Sequence, residues 1–207
     1  MFYHGDERDP NNHSMDAVFA FEPFRWYFQQ WMGGVTDIEF PKRQYDAEVA
    51  YADACLQHVF TQLDALGVLE ETVVVITADH GEEMDEHEMW FDHHGLYDTN
   101  LHVPLILRCP DRLPRGKYVD GMVTLMDVAP TLLSLAGLGE VASQAGMIGH
   151  DLTPLALDNA LRGKGTADAI FVTENTWMRK RGVRTREWKL IRACEPDLHN
   201  RPPVELY

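Results

Sequence analysis

Thr72-Val73-Val74-Val75-Ile76-Thr77-Ala78-Asp79-His80-Gly81 is the stretch on which the fold turns. Thr72 to Thr77 is an unbroken β-branched run, and side chains stiff at χ1 favour the pleated strand over the helix. The run is apolar on both faces instead of alternating, which suits the middle of a parallel sheet covered by helices. Its end then places a carboxylate and an imidazole at the carboxyl edge of the sheet, where α/β proteins bind ligands. An oxygen donor beside a nitrogen donor suits a divalent cation such as calcium, magnesium, manganese or zinc. Gly81 lets the chain turn sharply beside such an ion. Taken alone, an Asp-His pair after a strand is more often a helix cap next to a hydrogen-bonded histidine, so its neighbours decide the reading.

Upstream, Val49, Ala52, Leu56, Val59, Phe60, Leu63 and Leu66 recur at three- and four-residue steps from Tyr45 onward and stop at Gly67. That period predicts one amphipathic helix. Residues 1 to about 44 show no sustained period and read as an irregular, partly helical excursion. Their aromatics Trp26, Tyr27 and Trp31 could line a sugar pocket, although packing is the commoner use of such rings. Downstream, Glu82, Glu83, Asp85, Glu86, His87, Glu88, Asp92, His93, His94, Asp98 and His102 crowd into one loop. Half of the chain's ten histidines therefore lie between positions 80 and 102. Imidazoles can ligate metals, donate protons or hydrogen-bond an anionic substrate, so this density favours a site; most of the carboxylates read as solvated surface.

Val103-Pro104-Leu105-Ile106-Leu107 predicts a second buried strand with Pro104 at its start. Met126 to Gly137 predicts a short helix in which Asp127 caps, Pro130 sits in the first turn and Gly137 stops. Gly146 to Asp158 reads as a linker with a short helical piece. Phe171-Val172-Thr173-Glu174 and Val183 to Ile191 predict antiparallel strands joined by a tight turn. Helix, strand, loop, strand is an α/β rhythm, and the antiparallel ending marks a small second subdomain from near residue 160.

The 207 residues carry 33 acidic against 18 basic side chains, a formal net charge of −15. That excludes nucleic acid as a general partner, because phosphate backbones require a basic surface. It also disfavours anionic esters as substrates unless a cation reverses the sign locally. Basic charge gathers at Arg179, Lys180, Arg181, Arg184, Arg186, Lys189 and Arg192, either as a solvated strand face or as a contact for a sulfated or phosphorylated substrate. Cys55, Cys109 and Cys194 show no framework spacing and indicate neither disulfides nor a zinc cluster. No apolar run reaches the ~20 residues of a membrane span, and Met1 to Asp6 lacks the charged and apolar regions of a signal peptide.

Several segments together carry a family resemblance. Thr77-Ala78-Asp79-His80-Gly81-Glu82, then Phe91-Asp92-His93-His94-Gly95-Leu96-Tyr97-Asp98, then Leu101-His102-Val103-Pro104-Leu105-Ile106 resemble the C-terminal metal motif and following segment of sulfatases in the alkaline phosphatase superfamily. Tyr45 to Asp53 is similar to the helix before that motif. Met126 to Leu133 and Val183 to Ile191 resemble the later helix and C-terminal hairpin. The resemblance implies an α/β fold with a mixed or parallel sheet and helices on both faces. Residues 1–158 would form the C-terminal part of the catalytic domain, and residues 159–207 the start of a small antiparallel subdomain. It implies hydrolysis of small-molecule or glycan sulfate esters with one divalent cation, calcium first, and magnesium, manganese or zinc as alternatives. Asp79 and His80 match its metal ligands. His93 stands nearest to a lysine that contacts the sulfate, with His94 beside it, so His93 and His94 are the catalytic candidates and His102 the substrate-binding one.

The family nucleophile is a formylglycine made within Cys/Ser-x-Pro-x-Arg. Cys109-Pro110-Asp111-Arg112 has the wrong spacing, and Cys194-Glu195-Pro196-Asp197-Leu198 ends in Leu. The expectation is therefore a sulfatase fragment whose nucleophile lies in an absent N-terminal part and which is inactive alone. A phosphodiesterase or phosphonate monoester hydrolase of the same superfamily and a non-catalytic, metal-stabilised binding module are the alternatives.

Overall fold

A computed structural model describes residues 2–161 and 163–207. The chain divides into two compact units, Met1–Leu69 with Glu83–Asp92, and Glu70–Glu82 with His93–Tyr207.

In the first unit, α1 (Asp16–Ala20), a 3₁₀ turn at Glu22–Phe24 and α2 (Arg25–Met32) bury Val18, Phe24 and Phe28. These contacts give the irregular N-terminal stretch a core of its own. Trp26 and Trp31 stay out of that core: they are 60% and 74% exposed, and each ring lies about 6 Å from the ring of Tyr27. The long helix α3 (Glu39–Ala65) starts six residues before the periodic apolar stripe and tolerates Pro41 in its first turn, where a missing N–H breaks no intrahelical bond. Gly67, at φ +71°, ends it as a left-handed cap. None of its residues is buried, and Tyr45, Val49, Tyr51, Val59 and Leu66 are exposed.

In the second unit, β1 (Val74–Thr77) is followed by α4 (Asp98–Leu101) and β2 (Leu105–Arg108), with Pro104 just ahead of that strand. β1 pairs with β2 antiparallel, in register from Val74 opposite Arg108 to Thr77 opposite Leu105. No parallel pair occurs among the described residues, whereas the apolar run suggested one. Two-sided hydrophobicity carries no information about the direction of a neighbour, and Val74 to Ile76 are only half-buried.

α5 (Val128–Leu135), α6 (Gly139–Gln144) and α7 (Thr153–Leu157) follow. Asp127 does not cap α5 with its side chain. Thr124 does the capping, in a reciprocal box with Asp127 around the preceding 3₁₀ turn. The Asp127 carboxylate accepts from the backbone N–H of Thr124 and His150 and from the Thr166 hydroxyl, at 2.7–2.8 Å. One buried acid thus ties three segments together. Burial alone would raise its pKa, but these donors outweigh it and hold the carboxyl below its ordinary value.

The chain ends in a four-stranded antiparallel sheet, β3 (Ala169–Glu174), β4 (Lys180–Thr185), β5 (Lys189–Ala193) and β6 (Val204–Leu206), in that order. Its inner face carries Lys180, Lys189, Ile191 and Glu205, all buried. A Cβ on Gly182 would stand 3.5 Å from Leu96, so this face lies on the segment that follows the histidine-rich loop. Phe171, Leu190 and Leu206 form part of the exposed outer face.

Candidate metal and active site

β1 delivers Asp79 and His80 at its carboxyl end, and the His80 backbone N–H donates to Asp79 Oδ1 at 3.0 Å. His80 Nδ1 lies 2.8 Å from the Gly81 carbonyl oxygen. A carbonyl only accepts, so Nδ1 carries the proton and Nε2 keeps the lone pair. Asp79 Oδ2 is 3.7 Å from that Nε2. Gly81 serves a different end from the sharp turn expected of it. Its φ is not positive; instead a Cβ there would sit 1.9 Å from the Thr99 carbonyl oxygen. The Gly81 N–H donates to Asn100 O at 2.8 Å, so the strand end is pressed against α4 and only glycine fits.

Glu82 and His93 complete a cluster with His80. One donor atom from each of the three lies within 4.8 Å of the other two. The His80 and His93 rings stack with centroids 4.0 Å apart, and His93 Nδ1 is 3.8 Å from Glu82 Oε2. Two imidazoles and a carboxylate, with Asp79 adjacent, fit a divalent cation in donor chemistry and in mutual reach. Asp79 itself is 90% exposed at the side chain. The intervening loop holds His87, Glu88 and Phe91 at φ between +50° and +58°, a conformation that costs non-glycine residues energy and that clusters at functional sites.

His94 is placed apart from its neighbour. It is 3% exposed, and its Nε2 lies 2.8 Å from Nε2 of His199. His102 is exposed at the C-cap of α4, and the three-residue cluster does not include it. Tyr97 donates to Glu205 at 2.8 Å; burial, then that carboxylate, pushes its phenol far above the ordinary value, which keeps it a donor. Asp98 pairs with Lys189 and, at 3.2 Å, with Arg184. Burial would raise the Asp98 carboxyl, yet these two cations hold it below its ordinary value. The basic run is therefore not a uniformly solvated face. Lys180 and Lys189 are buried, each against a carboxylate from a distant segment, Asp197 and Asp98 respectively.

Two family models match the chain: Sulfatase over residues 11–138, and the C-terminal model of N-sulphoglucosamine sulphohydrolase over residues 85–200. The chain belongs to the sulfatase family. An N-acetylglucosamine-6-O-sulfatase of Bacteroides thetaiotaomicron is 32% identical over 175 residues, covering 80% of this chain and 28% of that protein. Human arylsulfatase K is 33% identical over 158 residues, covering 71% of this chain and 28% of its own length. The chain thus spans a little over a quarter of the length of these curated relatives. A structure solved in complex with its substrate D-glucosamine-2-N,6-O-disulfate superimposes with a TM-score of 0.65 at 28% identity, over 89% of this chain and 35% of that one. A glycosaminoglycan-metabolism protein of Bacteroides thetaiotaomicron shares the fold at a TM-score of 0.67 and 19% identity, over 99% and 45% of the two chains. The fold is accordingly the α/β fold of sulfatases in the alkaline phosphatase superfamily, with the small antiparallel sheet at its end.

In the sequence Glu82 is one among many carboxylates, and no pattern singles out His199, Asp197 or Glu205. Nothing local marks these last three: His199 and Glu205 meet His94 and Tyr97 across about a hundred residues of chain, and Asp197 meets Lys180.

Proposed function

We propose that this chain supplies the metal-binding and anion-facing half of an active site that hydrolyses sulfate esters of glycans, and that residues outside these 207 supply the nucleophile. The observation that carries the reading is the convergence of His80, Glu82 and His93 beside Asp79 at the end of β1, in a sulfatase-family chain. The exposed Tyr45, Val49, Val59 and Leu66 support the second clause, since such apolar groups ordinarily pack against more protein. Neither Cys109 nor Cys194 sits in the family motif, since the spacing fails at the first and the arginine at the second. Cys109 heads a tight turn, its carbonyl accepting from Arg112 and Leu113, and Arg112 is committed to the Leu135 carbonyl.

A divalent cation bound here supplies electrostatic stabilisation of the sulfuryl oxygens. His80 offers Nε2 because Nδ1–H is held by Gly81 O, and Asp79 and Glu82 add oxygen donors within reach. His93 faces the same space, where its ring can hydrogen-bond a sulfate oxygen or protonate the leaving oxygen. Calcium is the cation that the family resemblance puts first for the completed site. This chain's own donors, the imidazoles of His80 and His93 with the carboxylates of Glu82 and Asp79, favour zinc over calcium when tested alone.

Calorimetric titration of the 207-residue chain with Zn²⁺, Mn²⁺ and Ca²⁺ tests the site. One zinc per chain is expected, bound at least tenfold tighter than calcium and weakened at least tenfold by His80→Ala or His93→Ala. Zinc binding that is unchanged in both variants would place the ion elsewhere and remove the basis of the proposal.

A further inference from the structure

Five contacts tie residues 94–97 to the C-terminal segment. His94 Nε2 meets His199 Nε2 at 2.8 Å, with ring centroids 5.1 Å apart and ring planes 23° apart. The His199 N–H donates to Asp197 Oδ1 at 2.7 Å, and the other oxygen of Asp197 pairs with the buried Lys180. Lys180 Nζ lies 3.9 Å from Glu205 Oε1, and Glu205 Oε2 accepts from Tyr97, three residues after His94. The turn at residues 197–201 and strand β6 therefore grip the segment 94–97 at both ends.

We infer that His199 is a positioning residue for the proposed site, acting through His94 on the presentation of His93 to His80 and Glu82. This rests on the reading of His93 as a site residue. Two imidazoles joined nitrogen to nitrogen share one N–H, so one ring donates, the other accepts, and each tautomer fixes its partner's. The ring of His94, nearly fully buried, cannot turn without breaking that bond. Its immediate neighbour His93 joins the exposed cluster with His80 and Glu82, while His94 is buried in the interior. Locking His94 thus locks the backbone from which His93 reaches out. The Asp197 oxygen fixes the backbone of His199 in the same way, with the buried Lys180 holding that carboxylate in place.

The test is NMR on the ¹⁵N-labelled 207-residue chain, in which two-bond proton–nitrogen correlations identify the protonated nitrogen of each ring. A cross-peak between the His80 and His93 rings, 4.0 Å apart, reports the position of His93. The expected wild-type pattern is one protonated and one bare nitrogen facing each other across the His94–His199 contact. His199→Ala is expected to weaken the His80–His93 cross-peak at least threefold and to populate both tautomers of His94. His199→Gln, whose amide both donates and accepts, is expected to restore the cross-peak. A His80–His93 cross-peak in His199→Ala equal to wild type overturns the inference. So do two protonated nitrogens facing each other in the wild type, a result that decides even if the alanine variant does not fold. Neither readout uses metal or turnover. Intact coupling in a chain that binds no zinc would sink the metal-site proposal alone, and lost coupling in a zinc-binding chain would sink this one alone.

Discussion

Breaking the buried pair between Lys180 and Asp197 is expected to cost more than any other single polar change in the C-terminal sheet. The two side chains are 2% and 0% exposed, so loss of one partner strands a charge with no access to water. Such stranding costs about 3–5 kcal/mol. For Asp197→Asn the lower end applies. Glu205 remains 3.9 Å from the ammonium, a separation at which opposite charges attract by up to about 4 kcal/mol at an effective dielectric of 20, and asparagine keeps an oxygen for the His199 N–H. About 3 kcal/mol corresponds to a fall in Tm of roughly 6–12 °C for a chain of this size. Lys180→Met leaves two carboxylates buried instead and is expected to cost at least as much. The double variant Lys180→Met/Asp197→Asn removes the stranded charge and is expected to be about 2 kcal/mol or more better than the sum of the singles. Urea titrations with unchanged slope measure all three. Single costs below about 1 kcal/mol that simply add in the double variant would refute the reasoning.

Acid should loosen the same region. Asp98 and Asp197 both have carboxyls held below their ordinary value by lysine partners that outweigh burial. A lowered folded pKa contributes stability above the unfolded value of about 4 and loses it as pH falls through the folded value, so Tm is expected to drop below about pH 4 and to drop less steeply in Asp98→Asn. Gly81→Ala would set a Cβ 1.9 Å from a backbone oxygen, which no rotamer relieves. A loss of about 2–3 kcal/mol by urea titration, together with weakened zinc binding, is the expected outcome.

The elements of the fold were legible where local chemistry dictates them. The β-branched run gave β1, the turn between Thr185 and Trp188 gave the β4–β5 hairpin, and Gly67 and Gly137 marked two helix ends at φ +71° and +77°. Strand direction was not legible, because pairing partners lie beyond the local pattern. The start of α3 was missed because its first turn lacks the apolar period and contains a proline. In the candidate site, the Asp-His pair at a strand end and the density of histidines pointed to the segment in which His80, Glu82 and His93 cluster. What they could not assign was which imidazole faces which way. His93 and His94 are adjacent and alike in sequence, yet one is exposed beside Glu82 and the other is buried against His199. That division follows from contacts with a segment about a hundred residues away. Lys180 and Lys189 looked like surface charge for the same reason, since Asp197 and Asp98 reach them only in the folded sheet.

The central claim is that the cluster at the end of β1 serves sulfate-ester hydrolysis. It is tested most directly in a protein that carries these 207 residues together with a Cys/Ser-x-Pro-x-Arg segment, assayed on matched sulfate and phosphate esters, including 6-O-sulfated glucosamine. The expected result is sulfate release that favours the sulfate ester, is abolished by chelation, and falls at least a hundredfold in Asp79→Asn, His80→Ala and His93→Ala, with the isolated chain inactive. Sulfate turnover that survives His80→Ala and His93→Ala at the wild-type rate would contradict it.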